Sequence, residues 1–225
     1  MDENEAPFDP RQALQLIDSQ GATARMELAY PEHQALLCWG LIYLIGYLPL
    51  ALSFGPGRVL DLPIWLSLGF FYACLVVGIG TSIAITARHT RGLRGSSSRQ
   101  GTFYGISWCL GFLGVAALST RLGRLDITPE ERGLIINGAA MIVVALLMMA
   151  GGAIWNDKTQ FVIGAFIAGV TAVAQVLGYP SYYWIMSLVI GGGLIAAAGY
   201  TWSRRRRVPA TGSAPGAMID RGARP

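Results

Sequence analysis

Six long apolar segments run through this chain, and none of them contains Asp, Glu, Lys, Arg or His. They cover residues 34–54, 62–87, 102–120, 133–155, 161–179 and 181–203. A helix of about 20 apolar residues spans the roughly 30 Å hydrocarbon core of a bilayer. The pattern therefore predicts an all-α polytopic membrane protein with six transmembrane helices.

The charged residues lie in the segments between and beyond these spans. Only 13% of the 225 residues are charged, whereas a soluble domain carries about 25%. The sequence thus divides into an N-terminal tail (1–33), a transmembrane domain (34–203) and a basic C-terminal tail (204–225). The last part is rich in Pro, Gly and Ala and is expected to be disordered. No second globular domain is expected.

The distribution of basic residues predicts the orientation. If the N-terminus is cytoplasmic, the cytoplasmic segments hold 13 of the 17 Lys and Arg residues. Because Lys and Arg accumulate on the cytoplasmic side, both termini are predicted to be cytoplasmic. The chain has many arginines and a single lysine, Lys158, a composition typical of GC-rich bacterial coding sequences. We therefore expect a bacterial plasma-membrane protein.

Aromatic residues surround the very short connection before residue 181. Tyr179, Tyr182, Tyr183 and Trp184 lie within six positions of one another. Trp and Tyr are enriched at membrane interfaces. These residues are therefore predicted to mark the membrane boundary at the outer end.

The N-terminal tail contains a helix signal. Asp9 and Pro10 form a typical cap and first helical position, and Leu14, Ile17 and Leu28 share one face of a helix over about 10–29. The tail carries seven acidic residues and two arginines, so this short cytoplasmic amphipathic helix is not a typical lipid-binding helix. We expect it to dock on the basic cytoplasmic loops; a solvated tail is the alternative.

Two groups of arginines form the candidate docking surface for this helix, for a cytoplasmic protein partner or for lipid headgroups. They are Arg88, Arg91, Arg94, Arg99, Arg204, Arg205, Arg206 and Arg207. The sequence RGLRGSSSRQG at 91–101 contains phosphate-binding residue types. It lacks the GxxxxGK[ST] pattern, so a flexible loop is the preferred interpretation. No nucleic-acid partner is expected.

Small residues predict which helices pack closely, because membrane helices associate where their backbones can approach. The second, fifth and sixth spans carry such residues at four-residue spacing, for example Gly78 with Ser82, Ala165 with Gly169, and Ser187 with Gly191. These three spans are predicted to form the centre of the bundle.

Two amide side chains are the candidate binding residues of the transmembrane domain. Asn137 lies in the fourth span and Gln175 in the fifth. Because an amide in contact with lipid is costly, both should point inward or toward an interface, and they could share a polar cluster. They are either structural interhelical hydrogen bonds or the lining of a shallow outward-facing substrate site.

Several chemistries are not expected in these spans. Both histidines, His33 and His89, lie outside them, and no carboxylate is available for proton coupling. Cys38, Cys74 and Cys109 lack the spacing of a metal site and are interpreted as packing residues. We therefore expect no metal, no cofactor and no catalytic activity.

The N-terminal third resembles a known group of proteins. The sequences QALQLID at 12–18 and CWGLIYLIGY at 38–47 are similar to the start of uncharacterised six-span membrane proteins of actinobacteria. That resemblance implies a short N-terminal helix before a Trp-Gly first span, and it implies no catalytic residues.

Two functional classes follow from these observations. The first is a non-catalytic membrane protein that transports a small or lipid-like solute, or serves as the membrane subunit of a transport assembly. In outline it is similar to the substrate-binding subunits of vitamin uptake transporters. The second is a membrane scaffold or sensor that binds a cytoplasmic partner through its acidic helix and basic loops, or forms a homodimer.

Overall fold

Six helices make up the part of the chain that the computed structural model describes, residues 32–54, 59–89 and 96–207. They are α1 (Glu32–Ser53), α2 (Ile64–His89), α3 (Ser96–Leu122), α4 (Pro129–Ile154), α5 (Lys158–Leu177) and α6. Helix α6 consists of Ser181–Trp184, a π-helical stretch Ile185–Gly191, and Gly192–Arg207. All six are long and apolar enough to cross a membrane. The predicted all-α polytopic fold is confirmed.

The helices extend beyond the predicted spans, because hydropathy marks only the part within hydrocarbon. Helix α3 begins at Ser96 and α4 at Pro129, where the Thr128 side chain caps the Glu131 amide at 3.2 Å. Helix α6 continues to Arg207, so residues 204–207 of the predicted disordered tail are helical. The predicted helix over about 10–29 and the tail after 207 lie outside the described residues.

The helices alternate in direction. Residues from the end of α1, the starts of α2 and α4, and the turn before α6 line one common cavity. The start of α3 contacts the end of α4 and the start of α5 at the opposite end. The charge distribution predicts that the cavity end faces outward; the two are called the outer and the inner end below.

Helices α1, α4, α5 and α6 form the centre of the bundle. Helix α1 packs on α2 and α6, α5 packs on α4 and on the first half of α6, and α3 packs on α4. Most of the fully buried side chains, including Tyr47, Ala145, Ala174 and Met186, come from these four central helices, and Ser67 comes from α2. Helices α2 and α3 are peripheral and expose most of their surface.

Two helix pairs approach closely at glycines of the fifth and sixth spans. In the fifth span the contact is at Gly164, whereas Gly169, spaced four residues from Ala165, has open space. A Cβ at Gly164 of α5 would lie 2.7 Å from the Met149 amide nitrogen of α4. A Cβ at Gly191 of α6 would lie 2.7 Å from the Leu44 amide nitrogen of α1. Neither backbone has room for a methyl group, so both glycines fix the interhelical distance.

The prediction that the second span lies at the centre is wrong. The small residues of α2 do mark a contact, since Gly78 lies under Trp39 and Ile42 of α1. Yet Gly69 and Gly80 have no atom within 4 Å of an added Cβ. A stripe of small residues identifies one close neighbour and does not determine how many neighbours a helix has.

Candidate functional site

Helix α1 presents a stripe of aromatic side chains to the interior. Trp39, Tyr43 and Tyr47 recur every four residues and therefore lie on one face. The Trp39 indole donates to Ser82 Oγ of α2 at 2.9 Å. The Tyr43 hydroxyl donates to Met141 Sδ at 3.2 Å, and neighbouring rings lie 5.7–6.2 Å apart. Each ring thus adds apolar area and one polar contact, as buried Tyr and Trp usually do.

Asn137 is the polar link between α1 and α4. Its Oδ1 accepts a hydrogen bond of 2.9 Å from the Tyr47 hydroxyl. Its Nδ2 donates to the Gly133 carbonyl, one turn earlier in α4, at 2.8 Å. These contacts show that the Asn137 side chain points inward, toward α1.

Gln175 reaches from α5 to the same turn of α4. Its Nε2 donates to the Leu134 carbonyl at 2.9 Å, and its side chain crosses Gly138, where an added Cβ would overlap the amide. Because Asn137 and Gln175 bind successive carbonyls of α4, the structure brings the two candidate residues together at one level of the bundle. Each bonds to α4 rather than to the other.

Two hydroxyls near Gln175 are buried and make no hydrogen bond of standard geometry to the described residues. Thr171 precedes Gln175 by one turn of α5, and Tyr182 of α6 neighbours the Gln175 amide; both side chains are 0% exposed. Leaving a buried hydroxyl unpaired is unfavourable by about 1–3 kcal/mol. We name Tyr47, Asn137, Thr171, Gln175 and Tyr182 the outer polar cluster, which has unused hydrogen-bonding capacity.

A small cavity, the outer cavity, lies between Asn137 of this cluster and the outer end. It has a volume of about 50 Å³, enough for one or two water molecules at about 30 Å³ each. Its lining consists of Leu50, Phe54, Ile64, Leu68, Pro129, Glu130, Gly133, Asn137, Tyr179 and Tyr183. The cavity reaches the surface at the exposed Pro129 and Ile64. Asn137 belongs to both the cluster and the cavity.

The aromatic residues of the predicted boundary have a different position. Tyr182 and Tyr183 are buried in the core, 0% and 8% exposed, and Tyr183 lies 6.3 Å from the Tyr47 ring. Their depth along the helix is near the interface, but their direction is inward. Tyr179 is half-buried, and its burial, together with the charge of Glu130, raises the pKa of its phenol. Its hydroxyl therefore stays neutral at physiological pH.

Sequence reasoning missed Tyr47, Thr171, Tyr182 and Glu130 as site residues. The available signal was the four-residue spacing of Trp39, Tyr43 and Tyr47, which places their polar groups on one face. Thr171 and Gln175 share the same spacing on α5. The position of an aromatic residue near the end of a span indicates its depth in the membrane, but it does not indicate whether the ring points inward or outward.

A second, smaller polar group lies at the inner end. The Tyr104 hydroxyl of α3 donates to the Leu147 carbonyl of α4 at 2.9 Å and accepts from Gln160 Nε2 of α5 at 3.3 Å. Trp155 packs edge-on against Tyr104 at 4.8 Å. These groups satisfy one another, so the arrangement joins three helices.

The candidate basic residues lie at the inner end where they are described. Arg88 ends α2, Arg99 lies in the first turn of α3, and Arg204 lies in the last turn of α6; all three are exposed. The Arg204 guanidinium lies 5.7 Å from the Tyr200 ring centroid. Arg205, Arg206 and Arg207 continue the helix backbone of α6, whereas Arg91 and Arg94 lie outside the described residues. Their roles in lipid or partner binding stay predictions.

Within residues 32–54, 59–89 and 96–207, no group of three His, Cys, Asp or Glu side chains could hold a metal ion. The three cysteines are free thiols, with Cys109 exposed on α3. The outer polar cluster contains hydroxyls and amides, which can donate and accept hydrogen bonds and carry no charge.

Comparison with known proteins gives no relative: no family model, no curated protein and no solved structure matches this chain. The resemblance to actinobacterial six-span proteins stays a prediction.

Proposed function

We propose that this is a bacterial plasma-membrane protein without catalytic activity that passes a small solute across the membrane, alone or as the membrane subunit of a transport assembly. The solute-binding site is the outer polar cluster. In this arrangement of the helices the site is closed, because the outer cavity holds no more than one or two water molecules.

The buried hydroxyls of Thr171 and Tyr182, which make no hydrogen bond of standard geometry to the described residues, carry this proposal. A purely structural core satisfies its polar groups, as the Tyr104 group at the inner end does. Two hydroxyls beside the Gln175 amide instead leave donors and acceptors available to a ligand. A core that only holds helices together would be more stable with Val and Phe at these positions.

The arrangement around the cluster also supports passage. Helix α6 changes from α to π geometry at Ile185–Gly191, immediately after Tyr182, and π-helical turns are frequent at functional sites. Ser187 in this stretch donates to the Leu44 carbonyl of α1 at 2.8 Å. The outer part of α6 thus joins the cluster at a point where the regular helical ladder is interrupted.

Water access to Gln175 tests the proposal. In a background with Cys38, Cys74 and Cys109 changed to Ala, Gln175→Cys should react with N-ethylmaleimide in native membranes, because the thiolate forms only where water reaches it. Ala174→Cys is the matched control: it has the same depth on α5, and Ala174 is 0% exposed. Its reaction should be at least tenfold slower.

Equal reactivity of the two cysteines at the slow rate would contradict the proposal, since a core that water never enters cannot pass a polar solute. Circular dichroism and a thermal transition of each purified variant confirm that the fold is retained. Reaction of Gln175→Cys from both membrane sides would extend the result from a binding site to a passage.

The filled bundle and one exposed surface favour the second candidate, a scaffold or homodimer. Helix α3 packs on α4, contacts α5 at the inner end through Tyr104 and exposes most of its remaining surface. Gly101, Gly105 and Gly114 have open space where a Cβ would be. Cys109 lies one turn from Gly105. If α3 forms a homodimer, oxidation of native membranes should link two chains through Cys109. Cys109→Ser should abolish the linked dimer, and Cys74→Ser should leave it unchanged.

A further inference from the structure

The outer cavity combines one carboxylate with several aromatic rings. Glu130, in the first turn of α4, is half-buried and lines the cavity together with Tyr179, Tyr183 and Phe54. The Tyr179 and Tyr183 rings meet edge-on at 85° with centroids 5.9 Å apart, and Phe54 lies 6.4 Å from Tyr183. The planes of the three rings are therefore inclined to one another around one side of the cavity.

The charge of this cavity selects for a cation. A cation within about 6 Å of an aromatic ring is attracted by the ring quadrupole, and a carboxylate adds a charge-assisted hydrogen bond. No ion pair to Glu130 is present among the described residues. Arg132 follows two positions later in α4, and residues at that spacing do not face each other on a helix.

The N-terminus of α4, which lies beside the outer cavity, does not reverse the preference of the cavity for a cation. The N-terminal end of α4 carries a partial positive charge of about half a unit, which the full negative charge of Glu130 exceeds. A free anion would also be repelled by the same carboxylate. Glu130 therefore both stabilises the helix start and leaves the cavity negative.

The size of the cavity restricts the cation. Its volume of about 50 Å³ matches one or two water molecules, and a primary ammonium group is about as large as water. A trimethylammonium group is several times larger. The Asn137 amide at the inner side of the cavity and the Glu130 carboxylate supply acceptors for ammonium N–H groups.

We propose that the outer cavity binds the primary ammonium group of a small organic amine, held by Glu130 and Asn137 and enclosed by Tyr179, Tyr183 and Phe54. The statement that this amine is the transported solute rests on the proposed function. The statement that the outer cavity binds an ammonium group does not depend on whether water ever enters the core.

Binding of n-butylammonium to the purified chain in a neutral detergent, measured by titration calorimetry, tests the inference. Glu130→Gln should weaken binding at least tenfold. Glu131→Gln is the matched control: it is the next residue, exposed, in the same helical turn and of the same charge. This control should stay within twofold of the unchanged chain, since both variants weaken the helix N-terminus alike.

Two further ligands and two further variants sharpen the result. Butan-1-ol, which lacks the charge, and tetramethylammonium, an isomer of n-butylammonium with no N–H groups and a charged centre too bulky for the cavity, should each bind at least tenfold more weakly. Tyr179→Leu should weaken n-butylammonium binding and Tyr179→Phe should retain it. These variants test the inference even if Glu130→Gln fails to fold.

Equal affinities of Glu130→Gln and Glu131→Gln for n-butylammonium, or equal affinities for the amine and the alcohol, overturn the inference. A different outcome is that n-butylammonium binds with the expected discrimination but Gln175→Cys never reacts with N-ethylmaleimide. This outcome would support the amine site and contradict the transport proposal. The two failures are therefore distinguishable.

Discussion

Tyr47 and Asn137 join α1 to α4 through one hydrogen bond of 2.9 Å. The tyrosine is 1% exposed, so its hydroxyl has no other route to a partner if the amide is removed. Interhelical hydrogen bonds in membranes contribute less than intuition suggests, about 0.6 kcal/mol on average. Removing one partner leaves the other buried and unpaired, which is more costly than the bond itself.

A double-mutant cycle on this pair gives the first prediction. Asn137→Ala should destabilise the protein by about 1–3 kcal/mol, because it leaves the Tyr47 hydroxyl unpaired. Tyr47→Phe should cost less, and the coupling between the two changes should be about 0.5–1.5 kcal/mol. Reversible unfolding in mixed micelles measures all four states. Tyr43→Phe is the control and should have a smaller effect, because the Tyr43 hydroxyl donates to the weaker thioether acceptor of Met141. A coupling energy near zero between Asn137→Ala and Tyr47→Phe would contradict the assigned hydrogen bond.

Gly138 gives a second prediction at this scale. An added Cβ would overlap the Gln175 amide, so Gly138→Ala should displace that side chain from the Leu134 carbonyl. We expect destabilisation by about 1–3 kcal/mol, measured by the same unfolding transition. Gly138→Ala combined with Gln175→Ala should recover part of this loss, since the shorter side chain no longer occupies the space. No recovery would show that another contact is responsible.

At the scale of the helices, the contact between α4 and α5 depends on backbone approach. Gly164 lies against the Met149 amide and the Ala145 carbonyl of α4, whereas Gly169, further along α5, has open space. In the sequence they belong to two adjacent small-residue stripes of the fifth span, Gly164 with Ala168 and Ala172, and Gly169 with Ala165. The neighbouring helix, which the stripe does not specify, gives them opposite roles.

Gly164→Ala and Gly169→Ala form a matched pair on α5. Gly164→Ala should destabilise the protein by about 1–3 kcal/mol, because two backbones must separate. Gly169→Ala should be neutral or stabilise by up to about 1 kcal/mol, since Ala favours the helix. Thermal denaturation in one detergent measures both. Equal effects of the two substitutions would contradict the described contact.

At the scale of the whole molecule, the charges at the inner end predict the orientation in the membrane. Arg88, Arg99 and Arg204 end or begin three helices on that side. The alternation of six helices places the start of α1 and the end of α6 at the same end of the bundle. Because arginines accumulate on the cytoplasmic side, the inner end and both termini are predicted to be cytoplasmic.

A reporter fusion checks this orientation. A green fluorescent protein after residue 225 should fluoresce, and alkaline phosphatase at the same position should be inactive, because both termini are predicted to be cytoplasmic. Phosphatase fused in the connection between α3 and α4 should be active. The reverse activities would invert the bundle and would place the outer cavity, with Glu130, on the cytoplasmic side.

The sequence by itself determined the number of helices, their approximate limits and that Asn137 and Gln175 should avoid contact with lipid. Hydrophobic length and the cost of an amide in lipid are local properties, and each acts on a residue or a span independently of its neighbours. The same reasoning identified the close contacts of the fifth and sixth spans, because small residues are needed wherever two backbones meet.

The tertiary structure alone decided which helices are central, and it placed Thr171, Tyr182 and Glu130 around the two amides. A hydropathy pattern is equally apolar toward lipid and toward protein, so it cannot distinguish the peripheral α2 from the central α1. Nor can it tell a tyrosine that points to the headgroups from Tyr182, at the same depth but directed inward. That distinction depends on the position of the neighbouring helices, which the pattern of a single span does not contain.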